Sequence, residues 1–97
     1  MSDPIVRRAV NDSKGRYVID HAGGTTSELT YSILSPRTVI ADHTEVAAGH
    51  EGQGVGLILL KALLADAETE NFQIVPLCPF VNAQRRKHPE WADLFNV

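Results

Sequence analysis

Residues 47–68 read AAGHEGQGVGLILLKALLADAE. Three glycines, Gly52, Gly54 and Gly56, alternate where an irregular stretch turns into a leucine-rich run. The run has a helical period. At about 100° per residue, Leu57, Leu59, Leu60, Leu63, Leu64 and Ala67 fall within an arc of about 160°, while Lys61, Asp66, Glu68 and Glu70 lie at its edge or outside it. This predicts a helix over residues 55–70 that starts directly on a glycine turn. Such a turn exposes several backbone N–H groups, lets the chain approach a ligand closely, and carries the positive end of the helix dipole. The arrangement suits an anion, most often a phosphate. It equally suits a tight strand-to-helix connection that binds nothing. Two common phosphate loops are excluded by spacing. G-x-x-x-x-G-K-[ST] fails because Gly56 is followed by Leu57 and Ile58, and G-x-G-x-x-G fails because the spacing here is G-x-G-x-G.

Upstream of the turn the periodicity is that of strands. Residues 5–12 (IVRRAVND) read as a short strand, residues 11–16 (NDSKGR) as a turn, and residues 16–21 as a second strand with Tyr17, Ile19 and His21 on one face. After the turn HAGGTT, residues 28–34 alternate cleanly, with Leu29, Tyr31 and Ile33 on one side. Residues 38–46 (TVIADHTEV) make a longer strand, expected to carry Val39, Ala41, His43 and Glu45 on one face. A dinucleotide fold would open with β-α-β; this chain first spends four strands in an antiparallel meander.

Downstream, residues 72–78 (FQIVPLC) are apolar almost throughout, which suits a strand buried on both faces and parallel to the fourth through a helical crossover. Pro79 fits the first position of a further helix, which should end near Lys87 because His88 precedes Pro89. Residues 89–95 can form one more short helix. The expected class is α+β: a mixed sheet, a four-strand meander, a helix, a fifth strand and one or two short C-terminal helices.

At 97 residues the chain has room for one domain, residues 1–97, with 43% apolar residues. Nine basic against 12 acidic side chains, net -3, give no pull toward nucleic acid or an anionic membrane. The lone Cys78 cannot close an intramolecular disulfide, which fits a reducing compartment. The first residues lack a signal-peptide pattern, and no apolar run nears the roughly 18 residues of a membrane span. A cytoplasmic protein, monomeric or weakly dimeric, is expected.

Two further constellations can carry chemistry. Cys78 ends the fifth strand immediately before Pro79, so it would cap a helix N-terminus, where a thiol gains thiolate character; a buried structural cysteine is the alternative reading. His43 and Glu45 lie on the strand that leads into the glycine turn, and either can serve as a general base. A meeting of His43 with Cys78 would pair a nucleophile with a base. His21 and His50, beside glycine turns, read as exposed. No His/Cys/Asp spacing resembles a metal site.

A strand, then Q/R-x-x-G-x-G/A, a helix and another strand resembles the acetyl-CoA-binding core of the GNAT N-acetyltransferase superfamily. The blocks HTEV, GQGVG, VPLCPF and KHPEW, in that order from about Arg16 to Trp91, resemble a minimal single-domain subgroup of about this size. The resemblance implies a GNAT-like sheet whose fourth and fifth strands splay apart. It implies acetyl-CoA as cosubstrate, its pantetheine arm along Thr44 to Val46 and its pyrophosphate on Gln53, Gly54, Val55 and Gly56, beside Gly52. Lys87 or Arg85 would meet the adenosine 3′-phosphate, and the thioester would end near His43 and Cys78. It also implies transfer of acetyl to an amine, on a small molecule or a protein lysine, directly or through Cys78. Where the superfamily's first motif position is usually Gln or Arg, this chain carries Glu51. A non-catalytic acyl-CoA-binding or sensor module is the other reading of the same features.

Overall fold

The computed structural model describes residues 4–97. Its five strands form one sheet in the order β1-β2-β3-β4-β5, with β1 (Arg7–Val10), β2 (Lys14–Asp20), β3 (Thr26–Ser35) and β4 (Thr38–Glu45) antiparallel in succession. Helix α1 (Val55–Glu70) crosses back so that β5 (Gln73–Val75) runs parallel to β4. Helix α2 (Pro79–Lys87) and a 3₁₀ helix (Pro89–Leu94) complete the chain. This is the expected α+β architecture with its mixed sheet.

One sheet face and both α-helices build the core. Tyr17, Ile19, Leu29, Tyr31, Val39 and Ala41 meet Leu59, Leu60, Leu63, Leu64 and Ala67 of α1, and Ile74, Cys78, Val81 and Phe95 extend the same cluster. The apolar arc read from the sequence is therefore the face α1 buries. Asn71, at φ 59°, ends the helix in a left-handed conformation that asparagine tolerates. Polar ties lock α1 to the meander: the Tyr17 hydroxyl donates to Asp66 at 2.7 Å, and Arg8 bonds the Tyr31 hydroxyl at 2.9 Å and pairs with Asp66 and Glu70.

The structure corrects the sequence reading in three places. Lys14 and Gly15 belong to β2 rather than to the turn before it. Gly15 is needed there because the Tyr31 ring lies across it; a Cβ would stand 2.2 Å from the ring's Cζ. Second, β5 pairs with β4 only at Thr38, Val39 and Ile40, its other side carries a single bridge from Ile74 to Phe95, and of its residues Ile74 alone is buried, instead of the strand being covered on both faces. It is an edge strand, and Pro76 has no N–H to continue the ladder. The chain veers off to Cys78, whose N–H donates to Ala41 O at 2.8 Å. Third, the β3–β4 register shifts: Tyr31 faces Ala41, but Thr30 faces His43 and Leu29 faces Thr44. The extra residue, Asp42, is a β-bulge that reverses the alternation. Thr44 thus takes the core face with Val39 and Ala41, while His43 and Glu45 turn to the outer face, where both are exposed.

Candidate functional site

The bulge and the short β5 together open the sheet. Beyond Ala41, the β5-facing edge of β4 has no strand partner among the described residues, because the parallel pairing ends at Ile40 and the last tie is the Cys78 N–H. Cys78 caps α2 in an extended conformation (φ -64°, ψ 126°) and is buried, 2% exposed. Its Sγ lies 3.4 Å from Thr44 Oγ1. His43, the side chain expected to pair with the thiol, is turned with Glu45 to the other side of the strand, and the structure brings up Thr44 in its place.

Next to this gap lies a cleft of about 360 Å³, lined by Val46, His50, Glu51, Gly52, Gly54, Val55, Gly56, Leu57, Phe80 and Gln84. A slightly larger hollow, about 390 Å³, lies over the β1–β2 turn at Asn11, Lys14, Arg16 and Thr30. None of the residues singled out in the sequence lines that second hollow, so the cleft at the glycine turn is the candidate site.

The turn is built for exposed backbone donors. Gly49, Gly52 and Gly54 have φ of 88°, 80° and 79°, which side-chain-bearing residues rarely adopt. The first intrahelical bond is Ile58 N–H to Gly54 O, 3.1 Å, and no side chain caps the helix among the described residues. The N–H groups of Val55, Gly56 and Leu57 consequently have no partner within the helix. Gly56 answers a different demand: a Cβ there would come within 2.9 Å of the Phe80 ring, so its absence lets α2 close against the start of α1.

Phe80, Gln84 and Lys87 recur at helical spacing, so the face of α2 that lines the cleft runs on to Lys87, about 10 Å along the axis from Phe80 and about 5 Å from Gln84. Arg85 lies off that stripe and donates from Nε to Asn82 Oδ1 at 2.8 Å. Glu51 is exposed at the cleft's rim. His21 and His50 are not simply exposed; both are half-buried, and their rings stack with centroids 3.7 Å apart. Sequence reasoning missed Phe80 and Gln84, although their i, i+4 spacing ahead of Lys87 was visible; nothing in the sequence signals the Thr44–Cys78 contact. Among the described residues no cluster of three or more His, Cys, Asp or Glu could hold a metal ion, and no helix is long and apolar enough to cross a membrane.

A meander joined through a crossover helix to a parallel strand, with the last two strands of the sheet parting beside an uncapped glycine turn, defines an acyltransferase-type α+β fold. Residues 16–94 match the family model of the GCN5-related N-acetyl-transferases, and the chain belongs to that family. The fold is also that of a GCN5-like protein from Staphylococcus aureus solved by NMR in solution, with a TM-score of 0.72 and 29% identity over 99% of this chain and 91% of that one. None of the curated proteins matches the chain. Family and fold support an N-acetyltransferase activity on amine acceptors, and the family generally uses acetyl-CoA.

Proposed function

We propose that the protein moves an acetyl group from acetyl-CoA to an amine, carried by a small molecule or a protein lysine. The observation that carries this reading is that the strand β4, unpaired with β5 beyond Ala41, leads at Val46 into a cleft that is lined by the uncapped start of α1 and by Phe80. The residues fit the cosubstrate. The free β4 edge at Thr44 and Val46 would hold the amide-bearing pantetheine arm, as a strand partner would. The N–H groups of Gln53, Gly54, Val55 and Gly56, following Gly52, would hold the pyrophosphate. Lys87, on the α2 stripe that lines the cleft, would meet the 3′-phosphate, and the Glu51 carboxylate at the rim would lie near the pyrophosphate without donating to it.

Acetyl-CoA supplies an activated thioester. In the direct route the amine nitrogen attacks the carbonyl carbon, the C–S bond breaks, sulfur leaves as thiolate, and the amine gives up a proton. His43 and Glu45, exposed on the outer face of β4, are the bases an incoming amine would meet, while Cys78 and Thr44 lie on the core side. Backbone N–H groups on the free edge of β4 would stabilise the oxyanion.

A second route rests on the Thr44–Cys78 contact. Cys78 Sγ, 3.4 Å from Thr44 Oγ1 at the start of α2, would attack the thioester carbonyl carbon as its own proton is lost and CoA leaves through sulfur; the amine would then displace Sγ from the acetyl group. Intact-mass measurement after incubation with acetyl-CoA separates the routes: a gain of one acetyl group that is lost in Cys78→Ala supports the covalent one. Calorimetric binding of acetyl-CoA with no CoA release across a panel of amines would instead favour a binding or sensor module.

A further inference from the structure

We propose that His21 is a positioning residue for the glycine turn. It holds the turn in its ligand-ready shape from the β2–β3 hairpin, far from it in sequence. This rests on the reading of the turn as the pyrophosphate cradle.

Residues 47–54 hold three glycines at positive φ, so the turn has little intrinsic preference for one shape. Two anchors hold it, and His21 contributes to both. The first is at Ala47. Its N–H donates to Ser27 Oγ at 2.8 Å, and Ser27 is fully buried. With that lone pair used, the Ser27 hydroxyl proton still needs an acceptor, and among the described residues the one within reach is His21 Nε2, at 2.7 Å. Were Nε2 the donor, a hydroxyl proton would be buried without a partner. In the arrangement that satisfies every group, Nε2 accepts from the Ser27 hydroxyl, so His21 sets the direction of that hydroxyl.

The second anchor is at His50. Its ring stacks on His21 with centroids 3.7 Å apart and planes 15° from parallel. His50 passes the constraint on within the turn: its Nδ1 lies 3.3 Å from Gln53 Oε1, and Gln53 Nε2 donates to Gly49 O at 3.4 Å. The His50 N–H closes the turn onto Ala47 O at 3.0 Å. His21 lines neither the cleft nor the gap, so it acts on the N–H groups only through the turn's shape.

Two substitutions split the two anchors. His21→Gln keeps an acceptor for Ser27 but removes the stack. His21→Phe keeps the stack but strands the Ser27 hydroxyl. Calorimetric titration with coenzyme A, melting curves, and amide hydrogen exchange at Gly49 to Gly54 are read on wild type and both variants. His21→Gln should melt near wild type, exchange faster in the turn and bind coenzyme A about tenfold more weakly, as when the competent shape falls to about a tenth of the population. His21→Phe should melt lower yet keep its affinity within about threefold of wild type. Wild-type affinity and exchange in His21→Gln would overturn the role of His21. A wild type that takes up no coenzyme A would overturn the reading of the turn instead.

Discussion

Thr44 Oγ1 and Cys78 Sγ meet at 3.4 Å where β4 and β5 part, so the hydroxyl at one end of the gap addresses the thiol at the other. Neither residue would reach the other without the bulge at Asp42, which puts Thr44 on the core face. If acetyl passes through the thiol, Thr44→Val should slow acetyl-enzyme formation about tenfold, since a hydrogen bond to a charged partner is worth about 1.5–3 kcal/mol. Time-resolved intact mass reads the rate. Equal rates in variant and wild type would leave Thr44 a packing residue.

Gly54→Ala tests the backbone cradle. The added methyl meets nothing within 4 Å, so the cost is conformational: a left-handed residue with a side chain costs about 1–2 kcal/mol. The expected result is a small fall in melting temperature with a larger loss of coenzyme A affinity. Gly56→Ala should act differently, pushing the Phe80 ring at 2.9 Å and opening the cleft wall. A melting curve beside a calorimetric titration separates the two effects.

Gly15→Ala should be the more damaging change to the fold, although it is remote from the cleft. The new Cβ would lie 2.2 Å from Tyr31 Cζ, and that ring is buried and tied to Arg8 at 2.9 Å. Overpacking that cannot relax costs about 3 kcal/mol. Denaturant unfolding should show the midpoint falling with the slope unchanged.

Charge at the cleft predicts opposite shifts. Glu51 is exposed at its rim, so Glu51→Gln should tighten coenzyme A binding modestly, by about threefold at low salt. Lys87→Ala should weaken it by a similar factor, and both effects should fade as salt is raised. Titrations at two ionic strengths check this; a salt-independent effect of Lys87→Ala would argue against a phosphate contact.

The Tyr17 phenol gives a pH dependence. Burial, and then its hydrogen bond to Asp66, raises its pKa well above the ordinary 10.0. A group whose folded pKa is raised stabilises fully below its unfolded value. That contribution therefore holds below pH 10.0 and is lost as pH climbs from there toward the folded value. Tyr17→Phe should flatten the alkaline fall in stability, measured by urea unfolding between pH 9 and 11 (about one unit either side of the ordinary phenol pKa).

How far the sequence reached depends on the range of the interaction. Helix α1 could be read because its period and its glycine start are local; the expected bounds, residues 55–70, are those found. The Pro79 start and His88–Pro89 stop of α2 are local as well. The meander followed from alternation, with the start of β2 misread because Gly15 answers to Tyr31, sixteen positions away. The shortness of β5 was hidden because an apolar run does not say how many of its residues have a partner.

By itself the sequence determined the element order, the glycine turn that starts α1, the cysteine at the start of α2 and the absence of two other phosphate loops. All of these are matters of local spacing and backbone permission. Only the tertiary structure decided which side of β4 each residue serves. A single extra residue in the ladder reverses every side chain beyond it, and whether that residue is extra depends on the partner strand. Composition could not place Thr44 against Cys78, His43 and Glu45 on the outer face, or His21 under His50, because each is a contact between segments that alternation treats independently.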